Sequence, residues 1–83
     1  MKSSEALVAI HAALKAATRN DSIALPIAGD LVQLKVVDSL EGMVFLLELS
    51  KLTGVEFPEE DPIEQKLFDI KRLTEYLVEH SHR

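Results

Sequence analysis

Asp38-Ser39-Leu40-Glu41 is the stretch whose residue types and spacing can do chemistry. A carboxylate at 38 can accept hydrogen bonds from the first N–H groups of a helix. Glu41, three residues on, can reach back to the N–H of residue 38 and complete a capping box. Ser39 then lies on the first helical turn. A hydroxyl there faces solvent, and the nearby N–H groups and the positive end of the helix dipole favour a phosphate beside it. Taken alone, the four residues are more economically read as a cap with a tolerated serine, because short motifs recur by chance.

Other reactive side chains form no recognisable set. His11 has only Leu7, Val8, Leu14 and Lys15 at helical spacing, so it reads as a half-buried or surface histidine rather than a metal ligand. The run Glu59-Glu60-Asp61 with Glu64 lacks the alternating acids and central glycine of a calcium loop and reads as a solvated acidic helix start. His80 and His82 are two residues apart and share no helical face, which argues against a metal site in a frayed tail. No Ser/His/acid set and no phosphate-binding loop lies at recognisable spacing, so no catalytic residue is assigned and the chain is not expected to be an enzyme.

The elements that must position Ser39 follow from periodicity. Ser4 reads as the cap of a first helix running to Ala17, with Leu7, Ile10, Leu14 and Ala17 on one face. Residues 18–38 carry Asn20-Asp21, Pro26 and Gly29-Asp30, all turn signals. A structureless loop of that length is suspect unless something pins it. Ile23, Leu25, Ile27, Leu31, Leu34 and Val36 recur too often for a solvated linker, so an ordered loop is expected across the bundle, with a helical turn near 30–34. Alternation at 23, 25 and 27 also suits a strand, but the chain offers no second strand to pair with it.

From Ser39 to about Thr53 the chain is strongly apolar, and Met43, Leu46, Leu47, Leu49 and Leu52 supply a helical face that Gly54 ends. Val44, Phe45 and Leu47 widen the stripe, so either the preceding loop covers them or part of the face stays open. Gly42 inside the first turns costs about 1 kcal/mol relative to alanine, somewhat less near an end. It either makes room for a group approaching Ser39 or is simply tolerated. Val55-Glu56-Phe57-Pro58 is extended, with Phe57 inward. Asp61-Pro62 suits the cap and first position of a short third helix. Asp69 caps the last helix, whose Ile70, Leu73, Tyr76 and Leu77 face inward.

Composition sets the frame. The 83 residues make one domain, and with 47% hydrophobic residues but only Phe45, Phe57, Phe68 and Tyr76 as aromatics, the core must be aliphatic. A small helical bundle suits that. The absence of cysteine excludes disulfides and thiolate metal sites and leaves the chain no thiol of its own. No apolar run approaches the roughly 20 residues of a membrane span, and the first residues lack the order of a signal peptide, so no membrane insertion and a cytoplasmic location are expected. The net charge of −5 is uneven: residues 1–37 hold three acids and four basic residues, and 38–83 hold eleven acids and five basic residues. That sign disfavours nucleic acid and anionic lipid and favours basic patches on protein partners.

Residues 38–77 resemble the carboxy-terminal part of an acyl carrier protein. The likeness is carried by Asp38-Ser39-Leu40, the apolar helix, Gly54-Val55-Glu56-Phe57-Pro58, the acidic stretch, Phe68-Asp69-Ile70, Leu73 and Tyr76-Leu77. The spacing from Ser39 to Pro58 fits without a gap, whereas the amino-terminal helix and loop fit in length and type only. The resemblance implies an all-α four-helix bundle over residues 1–83, with a long ordered loop between the first two helices. It implies covalent 4′-phosphopantetheine on Ser39, flanked by Asp38 and delivered from coenzyme A by a phosphopantetheinyl transferase. The thiol of that arm would carry a thioester-linked acyl group to acyl-activating and acyl-transferring enzymes. The second helix would be the recognition surface, through Leu40, Glu41, Val44, Leu47 and Glu48, on a monomer.

The chain departs from the family at Leu34-Lys35-Val36-Val37, where a glycine often stands. It departs again at Val44, Ser50 and Lys51, where housekeeping fatty-acid carriers place acids. The connection after Pro58 is slightly longer. These differences point to a specialised lipid-metabolic pathway rather than housekeeping fatty-acid synthesis. Aminoacyl, peptidyl or polyketide cargo and an unmodified helical interaction module remain as alternatives.

Overall fold

The computed structural model describes residues 1–25, 28–57 and 67–81. Among these the chain is all-helical, with α1 (Ser3–Thr18), α2 (Ser39–Thr53) and α3 (Ile70–His80) and no strand beyond an isolated antiparallel bridge between Asp30 and Asp69. The helix expected from Asp61-Pro62, the acidic run with Glu64, Pro58, the Pro26–Ile27 pair and the His82-Arg83 end lie outside the described residues.

α1 starts two residues earlier than a Ser4 cap would place it. Lys2 is the extended residue before the helix, and the Glu5 carboxylate accepts its N–H at 3.1 Å. That acid in the first turn also complements the helix dipole, so Ser4 is left inside the turn. α1 packs against both α2 and α3. Its buried residues are Ala6, Ile10, Ala13 and Leu14, while Leu7 is 37% exposed and Ala17 half-buried. The expected stripe is therefore turned toward the alanines, which let two neighbouring helices approach closely.

The connection from α1 to α2 is pinned at several points. His11 Nε2 lies 2.8 Å from the Ile23 carbonyl oxygen, and since a carbonyl only accepts, that nitrogen carries the proton. Asp30 Oδ1 accepts the N–H groups of Val32 (2.8 Å) and Gln33 (3.0 Å), and the Leu34 N–H reaches the Asp30 carbonyl at 2.9 Å. This is the helical turn expected near 30–34. Leu31 at its start is fully buried. Its N–H donates to the Phe68 carbonyl at 2.8 Å, and the Ile70 N–H donates to the Gly29 carbonyl at 3.0 Å.

α3 begins where Asp69 Oδ1 accepts the Arg72 N–H at 3.0 Å, and it buries Ile70, Leu73 and Leu77. Tyr76 is half-buried between two rings, Phe57 at 5.5 Å and His80 at 4.1 Å. Phe57 is half-buried rather than fully inward, and His80 belongs to the helix rather than to a frayed end.

Candidate functional site at the start of α2

α2 spans Ser39–Thr53, bounded by its local signals. The Asp38 backbone is extended, its Oδ1 accepts the Glu41 N–H at 2.7 Å, and Glu41 Oε1 accepts the Asp38 N–H at 3.1 Å. The Asp38 carbonyl then accepts the Gly42 N–H at 2.8 Å as the first helical bond. At the far end Gly54 takes φ 72°, the left-handed conformation that glycine adopts without steric penalty. Between these caps Ser39 occupies the first helical position and is exposed. The first N–H groups of a helix have no acceptor within it, so this turn presents donors and a positive dipole end to an anion.

The buried face of α2 keeps Leu46 and Leu49 from the expected one but is rotated away from Met43, Leu47 and Leu52. Gly42, Phe45, Leu46 and Leu49 point inward, at i, i+3, i+4 and i+7. Met43 and Leu52, expected inward, are 53% and 56% exposed. Leu47, expected both on the inward face and at the partner surface, is 56% exposed. The choice of face is explained at Gly42. A Cβ there would lie 2.9 Å from the Cε1 and Cζ atoms of Phe68, whose ring is 2% exposed. The glycine is thus occupied by Phe68 rather than held open for a group approaching Ser39.

Of the residues assigned to partner contact, Leu40 (76% exposed), Val44 (40%) and Leu47 lie at successive helical spacing on the outer side of α2. Met43 joins them, and its i+3 relation to Leu40 is the signal that could have found it. The two acids have intramolecular partners. Glu41 is engaged in the capping box, and Glu48 Oε1 lies 3.7 Å from Lys51 Nζ on an exposed turn. Such a pair contributes under about 1 kcal/mol, so it biases Glu48 without locking it.

Other sites do not join this one. A depression of about 390 Å³ is lined by Ser3 of α1 and by Arg72, Thr74, Glu75, Val78 and Glu79 of α3. Among the described residues no group of three or more His, Asp or Glu side chains is arranged to hold a metal ion. No helix among them is long and apolar enough to cross a membrane. In comparisons with known proteins, no family model, no curated protein and no solved structure matches the chain.

Proposed function

We propose that this chain is a phosphopantetheine-dependent acyl carrier rather than an enzyme, a single domain of the four-helix-bundle class. The observation that carries the reading is Ser39, exposed on the first position of α2 and held there by the reciprocal Asp38–Glu41 cap, at carrier-family spacing from Val55-Glu56-Phe57. The residues present fit the group. A phosphodiester on Ser39 would meet helix N-terminal donors and the dipole, and the cap leaves the serine clear of the core.

In the loading step Ser39 Oγ would attack the pyrophosphate of coenzyme A. The Oγ–P bond forms as the P–O bond breaks, adenosine 3′,5′-bisphosphate leaves, and the hydroxyl proton passes to a base on the transferase. That arm would supply the thiol that this cysteine-free chain lacks, for cargo linked as a thioester. Asp38 fixes the turn. Leu40, Val44, Leu47, Glu41 and Glu48 form the surface met by transferase and by acyl-activating and acyl-transferring enzymes in the cytoplasm. A monomer handed between enzymes suits this role.

The cargo is acyl, in a specialised branch of lipid metabolism; aminoacyl or polyketide loading is the alternative within the class. The exposed strip of Leu40, Met43, Val44 and Leu47 favours one reading outside it, an unmodified interaction module. Incubation with coenzyme A and a broad-specificity phosphopantetheinyl transferase, followed by intact mass, separates the two. A gain of one phosphopantetheine that is lost in Ser39→Ala is expected. No gain leaves only the unmodified interaction module, and a gain that survives Ser39→Ala overturns Ser39 as the attachment point.

A further inference from the structure

Phe68 reaches the turn that carries Ser39 from two directions. Its ring lies against Gly42, three residues beyond Ser39, with no room for even one methyl group between them. Its carbonyl accepts the Leu31 N–H at 2.8 Å, and the Leu31 carbonyl in turn accepts the N–H groups of Val36 (2.9 Å) and Val37 (3.2 Å). Val37 is buried and directly precedes the capping residue Asp38. The ring therefore contacts the helix after Ser39, while the backbone of the same residue holds the chain leading into it. The paired bond from Ile70 N–H to the Gly29 carbonyl keeps residues 68–70 and 29–31 in register, so the two grips cannot slide independently.

We infer that Phe68 is a positioning residue for Ser39: seated on Gly42 and bonded to Leu31, it fixes where the first turn of α2 presents the hydroxyl. Close-packed interiors have low compressibility and transmit strain from one side chain to the next. A methyl at 42 displaces the ring, the displacement passes to Leu31 and Val37, and the cap at Asp38 shifts with them. The consequence is a change in reactivity at Ser39 from substitutions that touch neither Ser39 nor its cap.

The test compares Gly42→Ala, Phe68→Leu, the double variant and Leu77→Ala, a core control in α3, by two measurements at a temperature where all are folded. The first is the amide exchange of Val37, Glu41 and residue 42. The second is the rate of Ser39 modification by the transferase, which rests on the proposed function. In Gly42→Ala these amides are expected to exchange faster and modification to slow on the order of 10- to 100-fold, the upper end being the scale of a misplacement of about 1 Å at a reacting group. Adding Phe68→Leu, which removes the ring atoms in the way, is expected to restore most of both. Leu77→Ala is expected to lower the unfolding midpoint, to speed exchange at these amides no more than its loss of global stability dictates, and to leave the modification rate near wild type.

Wild-type exchange in Gly42→Ala, or equal slowing in Leu77→Ala, overturns the inference. If the wild-type chain takes no phosphopantetheine, the carrier reading fails, and amide exchange alone decides the role of Phe68.

Discussion

Asp38, Ser39 and Gly42 share one turn and do different work. Asp38 contributes through a charge-assisted bond of 2.7 Å to the Glu41 N–H, and Asp38→Ala is expected to cost about 0.5–2 kcal/mol in urea unfolding, the usual range for a lost cap. Ser39 is exposed, and Ser39→Ala is expected to stay within about ±0.5 kcal/mol. Equal unfolding midpoints would show that any loss of modification in Ser39→Ala reports the hydroxyl and not the fold. Gly42→Ala sets two effects against each other. Helix propensity favours alanine by up to about 1 kcal/mol, whereas forcing a methyl against a buried ring costs about 1–3 kcal/mol. Because the ring carbons would stand 2.9 Å from the new Cβ, the steric cost is expected to win and the midpoint to fall. The partner of Gly42 is 26 positions away in sequence, so nothing local to Asp38-Ser39-Leu40-Glu41 could have announced it.

Both ends of α2 and the start of α3 were legible because their causes are local, whereas the start of α1 was not, its cap being Lys2 with Glu5 rather than Ser4. Asp38 and Gly54 bound α2, and Asp69 starts α3, each by bonds within a few residues. Faces were less legible. From Met43 to Leu49 every residue but Glu48 is apolar, so periodicity cannot choose a side, and the choice falls to Phe68 packing on the smallest residue. α1 shows the same effect, with Ala6 and Ala13 buried where leucine spacing pointed to Leu7 and Ala17. Its far end gives a clean test. Arg19 closes α1 at φ 54°, a conformation that costs a residue with a Cβ about 1–2 kcal/mol. Glycine removes that cost and gives back about 0.5–1 kcal/mol in unfolded-chain entropy. Arg19→Gly is therefore expected to raise unfolding stability by about 0.5–1 kcal/mol, and a lower midpoint would mean that the arginine side chain contributes more than its strained backbone loses.

At the scale of the molecule, α1 is the common neighbour: α2 and α3 each pack on it, and the pinned segment 28–37 joins their starts through Leu31 and Phe68. A chain of 83 residues has roughly 4–12 kcal/mol of stability at typical per-residue values. Ile10 sits fully buried in the middle of α1, and truncating such a side chain costs about 2–5 kcal/mol through lost transfer energy and the cavity left behind. Ile10→Ala is thus expected to remove about a sixth of the total at the least, and close to half at the middle of both ranges. Because α1 serves both neighbours, the loss should not be confined to one of them. Native-state amide exchange of Ile10→Ala is expected to show the slowest amides of α1, α2 and α3 falling together by the amount that urea unfolding reports, as one cooperative unit. Loss of protection in α1 and α2 with α3 unchanged would show instead that α3 is held by its own contacts. The bridge from Phe68 to Leu31 would then have to carry the coupling to Ser39 without help from the core.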